Sequence, residues 1–155
     1  MSDDASYLTP EKYDELKREH QYLTSTRRRE IAESLEYARS LGDLSENAEY
    51  AEARELQAAT EERIRRIETV LANAKILTKK KSDVVTLGSK VTIRKQRDTE
   101  PHTYTIVGSE ETNMLDRKLS HLSPLGEALM GKKKGDEFSF ETPSGKQKYT
   151  IVSVE

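Results

Sequence analysis

Residues 36–55 gather six carboxylates, Glu36, Asp43, Glu46, Glu49, Glu52 and Glu55, against only Arg39 and Arg54. That is a local charge of −4 in a chain whose net charge is −2. Asp43 and Glu46 lie three residues apart where a helix begins, and side chains at that spacing share a face. Two carboxylates on one exposed face offer oxygen ligands to a hard cation such as Mg²⁺. Alone they make a weak, hydrated site, which becomes useful if another macromolecule supplies the remaining ligands. The same spacing also reads as a capping box, with Asp43 at the N-cap and Glu46 three residues on. Acids in a first turn suit the helix dipole as well. Spacing alone favours capping, and it reads Glu49, Glu52 and Arg54 as a solvated helix face.

Other chemistry is poorly represented. The absence of Cys removes disulfides, Cys-type zinc sites and thiol catalysis. Gly126–Lys133 nearly matches a phosphate-binding loop, but Lys133 stands where Ser or Thr should hold magnesium, and the apolar residues inside it favour a helix. His20, His102 and His121 are not spaced as metal ligands, and no Ser sits in a G-x-S-x-G elbow. Arg27–Arg29, Lys79–Lys81 and Lys132–Lys134 are short basic runs that read as solvated surface, with a weak electrostatic handle for RNA or DNA.

The elements that must carry the acidic pair follow from the punctuation residues. Between residues 11 and 81 the one helix breaker is Gly42, whereas Gly or Pro recurs every few residues after Gly88. Thr9 can cap a first helix that Pro10 opens. Its apolar stripe runs through Tyr13, Leu16, Leu23, Ile31, Leu35, Ala38 and Leu41, and is interrupted at Thr26 and Arg27. Gly42 stops it as a left-handed cap. A second helix is expected from about Ser45 to about Leu77. Its seam runs through Leu56, Ala59 or Thr60, Arg63 or Ile64, Ile67, Leu71 and Ala74. A connection of about three residues makes the two antiparallel, each ~48 Å long at 1.5 Å per residue.

After residue 81 the pattern turns to strand alternation. Val91–Ile93, Thr103–Val107, Phe138–Glu141 and Tyr149–Val152 alternate, with a turn at Pro143–Lys146. Ser123 and Pro124 open a short helix that Gly131 ends. The expected fold class is α+β. Residues 1–81 form an antiparallel coiled-coil hairpin with an acidic tip near 42–47. Residues 82–155 form a small antiparallel sheet with one short helix.

Composition bounds the setting. With 34% apolar and 35% charged residues, the chain suits long solvated helices better than one compact core. No apolar run approaches the ~20 residues of a membrane span, and the acidic N-terminus is unlike a signal peptide. A cytoplasmic setting is expected. The near-neutral charge argues against a protein that simply coats nucleic acid.

Gly42-Asp43-Leu44-Ser45-Glu46-Asn47-Ala48-Glu49-Tyr50, followed by Ala53-Arg54-Glu55, resembles the coiled-coil tip motif of the bacterial Gre transcript-cleavage factors, and is closest to the GreA type. Thr9-Pro10-Glu11 with Leu16, the Ser123–Lys132 segment with Gly135-Asp136, and the closing Tyr149–Val152 extend the resemblance over nearly the whole chain. It implies an FKBP-like C-terminal domain that docks on bacterial RNA polymerase. It also implies a coiled coil that enters the polymerase's secondary channel. The tip would then promote the polymerase's own hydrolysis of backtracked RNA, so that the protein is not itself an enzyme. On this resemblance Asp43 and Glu46 match the acidic pair that helps hold a second Mg²⁺ and a water. Arg39 and Arg54 match basic residues near RNA or polymerase, and Asn47, Glu49 and Tyr50 match flanking motif positions. Ser45 departs from the Lys often found in GreA-type sequences, which touches subtype more than activity.

Three other readings compete: a channel-binding polymerase inhibitor without cleavage activity, a proline isomerase, and a coiled-coil adaptor. The Asp43–Glu46 pair speaks against the first. The few aromatic residues after position 82 and the absence of Trp speak against the second. A seam satisfied within one chain speaks against the third, and makes a monomer the expectation.

Overall fold

The computed structural model describes residues 5–43, 45–78, 81–98 and 100–155. Leu44 of the tip motif, Lys79 and Lys80 of one basic run, and the acidic stretch at 1–4 lie outside the described residues. The chain forms two compact units. One is Tyr13–Asn73. The other joins the segment up to Lys12 with Ala74–Glu155. Composition draws the boundary at 81/82. Contacts draw it differently, because short strands flanking the hairpin pair with each other.

The hairpin's first arm is α1 (Pro10–Tyr22), a π-helical turn (Leu23–Arg27) and α2 (Arg28–Ser40). The π turn falls where the stripe breaks. Leu16 and Ile31, both buried, are fifteen residues apart, one more than two heptads. The widened turn absorbs the odd residue and keeps both on the inner face. Thr24 Oγ1 donates to His20 O at 2.8 Å, and Ser25 Oγ donates to Gln21 O at 2.6 Å. These hydroxyls serve carbonyls around the altered ladder.

The second arm is α3 (Ala48–Ala72), 25 residues and ~37 Å long. Its buried positions are Ala53, Thr60, Ile64, Ile67 and Val70, with Tyr50, Gln57 and Leu71 half-buried. From residue 50 to residue 71 the steps of three and four make one continuous seam. The expected seam is corrected in two places. Leu56 is 38% exposed, because Gln57 takes its place on the heptad. Ala74 belongs to a strand. The helix also begins three residues late and ends near Ala72, so the connection after Ser40 spans residues 41–47 rather than about three residues.

Two bidentate ion pairs fix the register between the arms. Arg28 reaches Glu61 at 2.8 and 2.9 Å, and Arg63 reaches Glu19 at 2.7 and 2.8 Å. The hydrogen bond from Arg28 holds the Glu61 carboxyl below its ordinary range. Being solvent-screened, such pairs specify alignment more than they stabilise.

In the other unit, β3 (Lys90–Lys95), β4 (Pro101–Val107), β5 (Lys118–Ser120), β6 (Glu137–Thr142) and β7 (Gly145–Val154) form one sheet. The strand order is β5-β4-β3-β7-β6. The β6–β7 hairpin forms as the turn residues imply. β5 runs parallel to β4, so the sheet is mixed and not wholly antiparallel. Val85, Val91, Ile93, Ile106, Leu119, Leu129, Phe138 and Ile151 make the core. α4 (Pro124–Leu129) covers it, with Ser123 Oγ accepting from Gly126 N at 3.1 Å. A Cβ on Gly126 would collide with the Ser120 carbonyl. That glycine therefore serves helix packing, and the phosphate-loop look-alike is a packed helix end. Among the described residues no helix is long and apolar enough to cross a membrane.

β1 (Ser6–Leu8) and β2 (Ala74–Ile76), which the strand patterns did not reveal, pair in parallel with Leu8 fully buried. The chain then turns at Thr9, whose backbone N and Oγ1 donate to the Glu111 carboxylate at 3.1 and 2.7 Å. Thr9 Oγ1 in turn accepts from Lys12 N at 3.2 Å and caps α1. Glu111 is 5% exposed, with Lys118 Nζ at 3.4 Å. Glu111→Ala would strip three donors of their acceptor. We expect a loss of about 2–4 kcal/mol in urea unfolding, and a smaller loss for Glu111→Gln, which keeps one acceptor oxygen.

Candidate functional site at the hairpin tip

The tip must end one helix and start another within seven residues. α2 closes with Leu41 N donating to Ala38 O at 3.2 Å, and Gly42 follows at φ +128°, a backbone that L side chains rarely adopt. α3 opens at Asn47, in extended conformation, whose Oδ1 accepts from Tyr50 N at 3.0 Å. The N-cap is therefore Asn47, and the capping box expected of Asp43 and Glu46 is not formed. Asn47 Nδ2 also donates to Ala38 O at 2.6 Å. One side-chain amide thus caps α3 and bonds the last turn of α2.

Asp43 instead closes its own turn. Its Oδ1 accepts from Ser45 N and from Ser45 Oγ, both at 3.0 Å, an arrangement that Asp favours locally. The backbone N–H of Ser45, and then its hydroxyl, hold the Asp43 carboxyl below the ordinary aspartate range. Both bonds fall on Oδ1, so Oδ2 has no partner among the described residues. Glu46 is exposed and stands one residue before the cap.

The other motif residues separate into two groups. Tyr50 is half-buried on the cluster of Ile31, Leu35 and Ala53. Arg39, in the last turn of α2, lies with its guanidinium 5.8 Å from the Tyr50 ring centroid. Glu49 is exposed in the first turn of α3, and Arg54 is exposed with Nη1 donating to Gln57 at 3.1 Å. Arg39, Asn47 and Tyr50 therefore build the tip, while Asp43, Glu46 and Glu49 present charge from it. Among the described residues no three His, Asp or Glu side chains group as a metal site. Asp43 and Glu46 supply oxygen donors of the kind a hard cation takes, and by themselves they do not make a closed site.

The N-terminal model of a transcription elongation factor family matches residues 6–76, and the GreA/GreB C-terminal model of transcription elongation factors matches residues 79–155. The chain belongs to the GreA/GreB transcription elongation factor family. It is 43% identical to the transcription elongation factor GreA of Clostridium acetobutylicum, with 99% of each chain covered. It is 42% identical to that of Roseiflexus sp. (strain RS-1), covering 100% of each. The crystal structure of GreA factor homolog 1 (Gfh1) of Thermus thermophilus is 29% identical, with 97% of this chain and 99% of that chain covered and a TM-score of 0.45. As a GreA/GreB factor the protein acts in transcription elongation on RNA polymerase.

Two structural roles in this GreA/GreB tip escaped the residue-by-residue reading: the pair of hydrogen bonds made by Asn47 and the pair that Ser45 donates to Asp43. The signal for the first was present, since Asn is among the best N-caps and Ala48 begins the helix. Asn47→Ala should lower stability by about 2 kcal/mol in chemical unfolding followed by helical circular dichroism. Asn47→Asp keeps the cap but not the donor to Ala38, and should lose about half of that.

The Asp43 carboxyl should titrate below the ordinary aspartate range by carbon NMR, and Ser45→Ala should move it part of the way back. The folded value is depressed. The charged form therefore stabilises the turn above the ordinary aspartate value, and that contribution fades as pH falls through the folded value.

Proposed function

We propose that this factor enters the secondary channel of bacterial RNA polymerase and, acting there without being an enzyme itself, stimulates the polymerase's own hydrolysis of backtracked RNA. The observation that carries this reading is the display of Asp43 and Glu46 on a hairpin end whose backbone is tied by Asn47. Arms of roughly 37 Å and more can carry such a tip into a protein channel. The sheet unit would dock on the polymerase surface. The protein would work as a cytoplasmic monomer, since its helical seam is already filled within one chain.

The chemistry asked of the tip is modest. Magnesium shared with the polymerase active centre would supply Lewis-acid stabilisation of the phosphodiester transition state. Asp43, with Oδ1 occupied by Ser45, would offer Oδ2 as ligand. Glu46 would offer a second oxygen, or accept a proton from the attacking water. Ser45 would orient the Asp43 carboxylate through Oδ1. Arg39 and Arg54 would lie near RNA or polymerase, and Asn47, Glu49 and Tyr50 would hold and flank the pair.

The test uses a stalled, backtracked polymerase with 3′-labelled RNA. Wild-type factor should release short labelled products. Asp43→Asn, which keeps the Oδ1 acceptor for Ser45, and Glu46→Gln should each cut the stimulated rate by about 10²-fold or more while polymerase binding persists. Cleavage by Asp43→Asn at the wild-type rate would reduce Asp43 to a turn residue. Tight binding by wild type with no stimulation would replace the proposal with the channel-blocking inhibitor.

A further inference from the structure

Between Leu16 and Ile31 the first arm contributes no buried side chain. Residues 17–30 are all half-buried or exposed, the π turn included. On the tip side of that stretch, Ile31 and Leu35 pack with Ala53 and Tyr50 in a buried cluster. The facing arm has no such gap, since α3 buries Thr60, Ile64 and Ile67 in turn. Over residues 17–30 ion pairs tie the first arm to α3: Glu19 with Arg63, His20 with Glu68 at 2.9 Å, and Arg28 with Glu61. Each of these six side chains keeps at least 31% of its surface in water. Exposed pairs hold weakly and are screened by salt.

The backbone ladder is divided at the same place. Arg28 N–H points to Leu23 O, five residues back, and to Ser25 O, three back. An α-helix would give it one acceptor, four back. Thr24 Oγ1 lies 2.8 Å from His20 O and 3.4 Å from Gln21 O, and Ser25 Oγ lies 2.6 Å from Gln21 O. Two hydroxyls therefore already serve the carbonyls that a parted ladder would leave bare. Few buried contacts and an exposed, divided ladder mark a segment that opens on its own, at a lower free energy than global unfolding. The origin is the one residue by which the Leu16–Ile31 spacing exceeds two heptads.

We propose that residues 23–28 form a conformational joint, at which the first arm opens locally while the tip half of the hairpin stays folded. Such opening is a property of the free chain, independent of whether the factor stimulates cleavage. The test is amide hydrogen exchange, followed by NMR on the full chain without polymerase. Protection factors at Thr24–Arg28 should be about tenfold or more below those at Leu35–Ala38 and Ile64–Ile67. Raising salt to about 1 M, where the screening length falls to ~3 Å, should lower protection at the joint by a further twofold or so and leave Leu35–Ala38 unchanged. Deleting Ser25 restores the two-heptad spacing and should raise protection there about tenfold or more, with circular dichroism reporting whether the helices are kept. Even protection along the whole first arm, or protection at the joint that ignores salt, would overturn the proposal; neither reading needs a variant. A deletion variant that exchanges at the joint as fast as wild type would overturn it too. So would one that loses its helices, because the extra residue would then belong to the seam.

Discussion

The hairpin depends on how two helix ends are satisfied within the seven residues between Ser40 and Ala48. A helix that ends leaves carbonyls without partners, and one that begins leaves amides without partners. Here both sets meet at the same place. A primary amide is donor and acceptor at once, and Asn47 uses both functions, Oδ1 for α3 and Nδ2 for α2. A carboxylate or a plain hydrophobe at that position could not join the two ends in this way. The positive φ of Gly42 lets the chain leave α2 on the side from which Asn47 can reach back.

The arms below the tip meet a different constraint. Side chains on one arm must stay opposite those on the other over many turns, yet the inner positions of the first arm are out of step by one residue. The π turn at Leu23–Arg27 corrects this once. The defect was legible, since Thr26 and Arg27 visibly interrupt the stripe. Its remedy was not, because a π turn has no residue signature of its own. In α3 the seam was misread for a related reason. Leu56 looks like a core residue and Gln57 does not, but the continuous heptad runs through Gln57. Position on the seam, rather than hydrophobicity alone, decided which was covered.

The sheet unit was legible where local pattern governs: β3, β4, the β6–β7 hairpin, and α4 with its Ser-Pro opening. It was illegible where pairing is long-range. β1, β2 and β5 have three residues each, too few to show alternation, and they exist only because their partners are present. The same holds for Glu111. Nothing in the run Ser109–Glu111 marks its last carboxylate as buried. Its burial follows from Thr9, 102 positions away, supplying two donors.

At the tip, the two roles that sequence spacing assigned to one pair of acids fall on different residues. Asp43 and Glu46 have the separation of a capping box, and were Asp43 the cap, its carboxylate would be engaged by α3 and poorly placed for a ligand. The structure moves the cap to Asn47, a neutral side chain that loses nothing by being half-buried between helix ends. Asp43 keeps one local contact, with Ser45, which orients the carboxylate and favours its charged form while leaving an oxygen unshared. Glu46 makes no hydrogen bond or ion pair among the described residues. The acids can stay exposed and charged because the helix ends are satisfied without them. Removing the Asn47 amide would disturb the presentation of Asp43 and Glu46 even though its hydrogen bonds go to Ala38 and Tyr50.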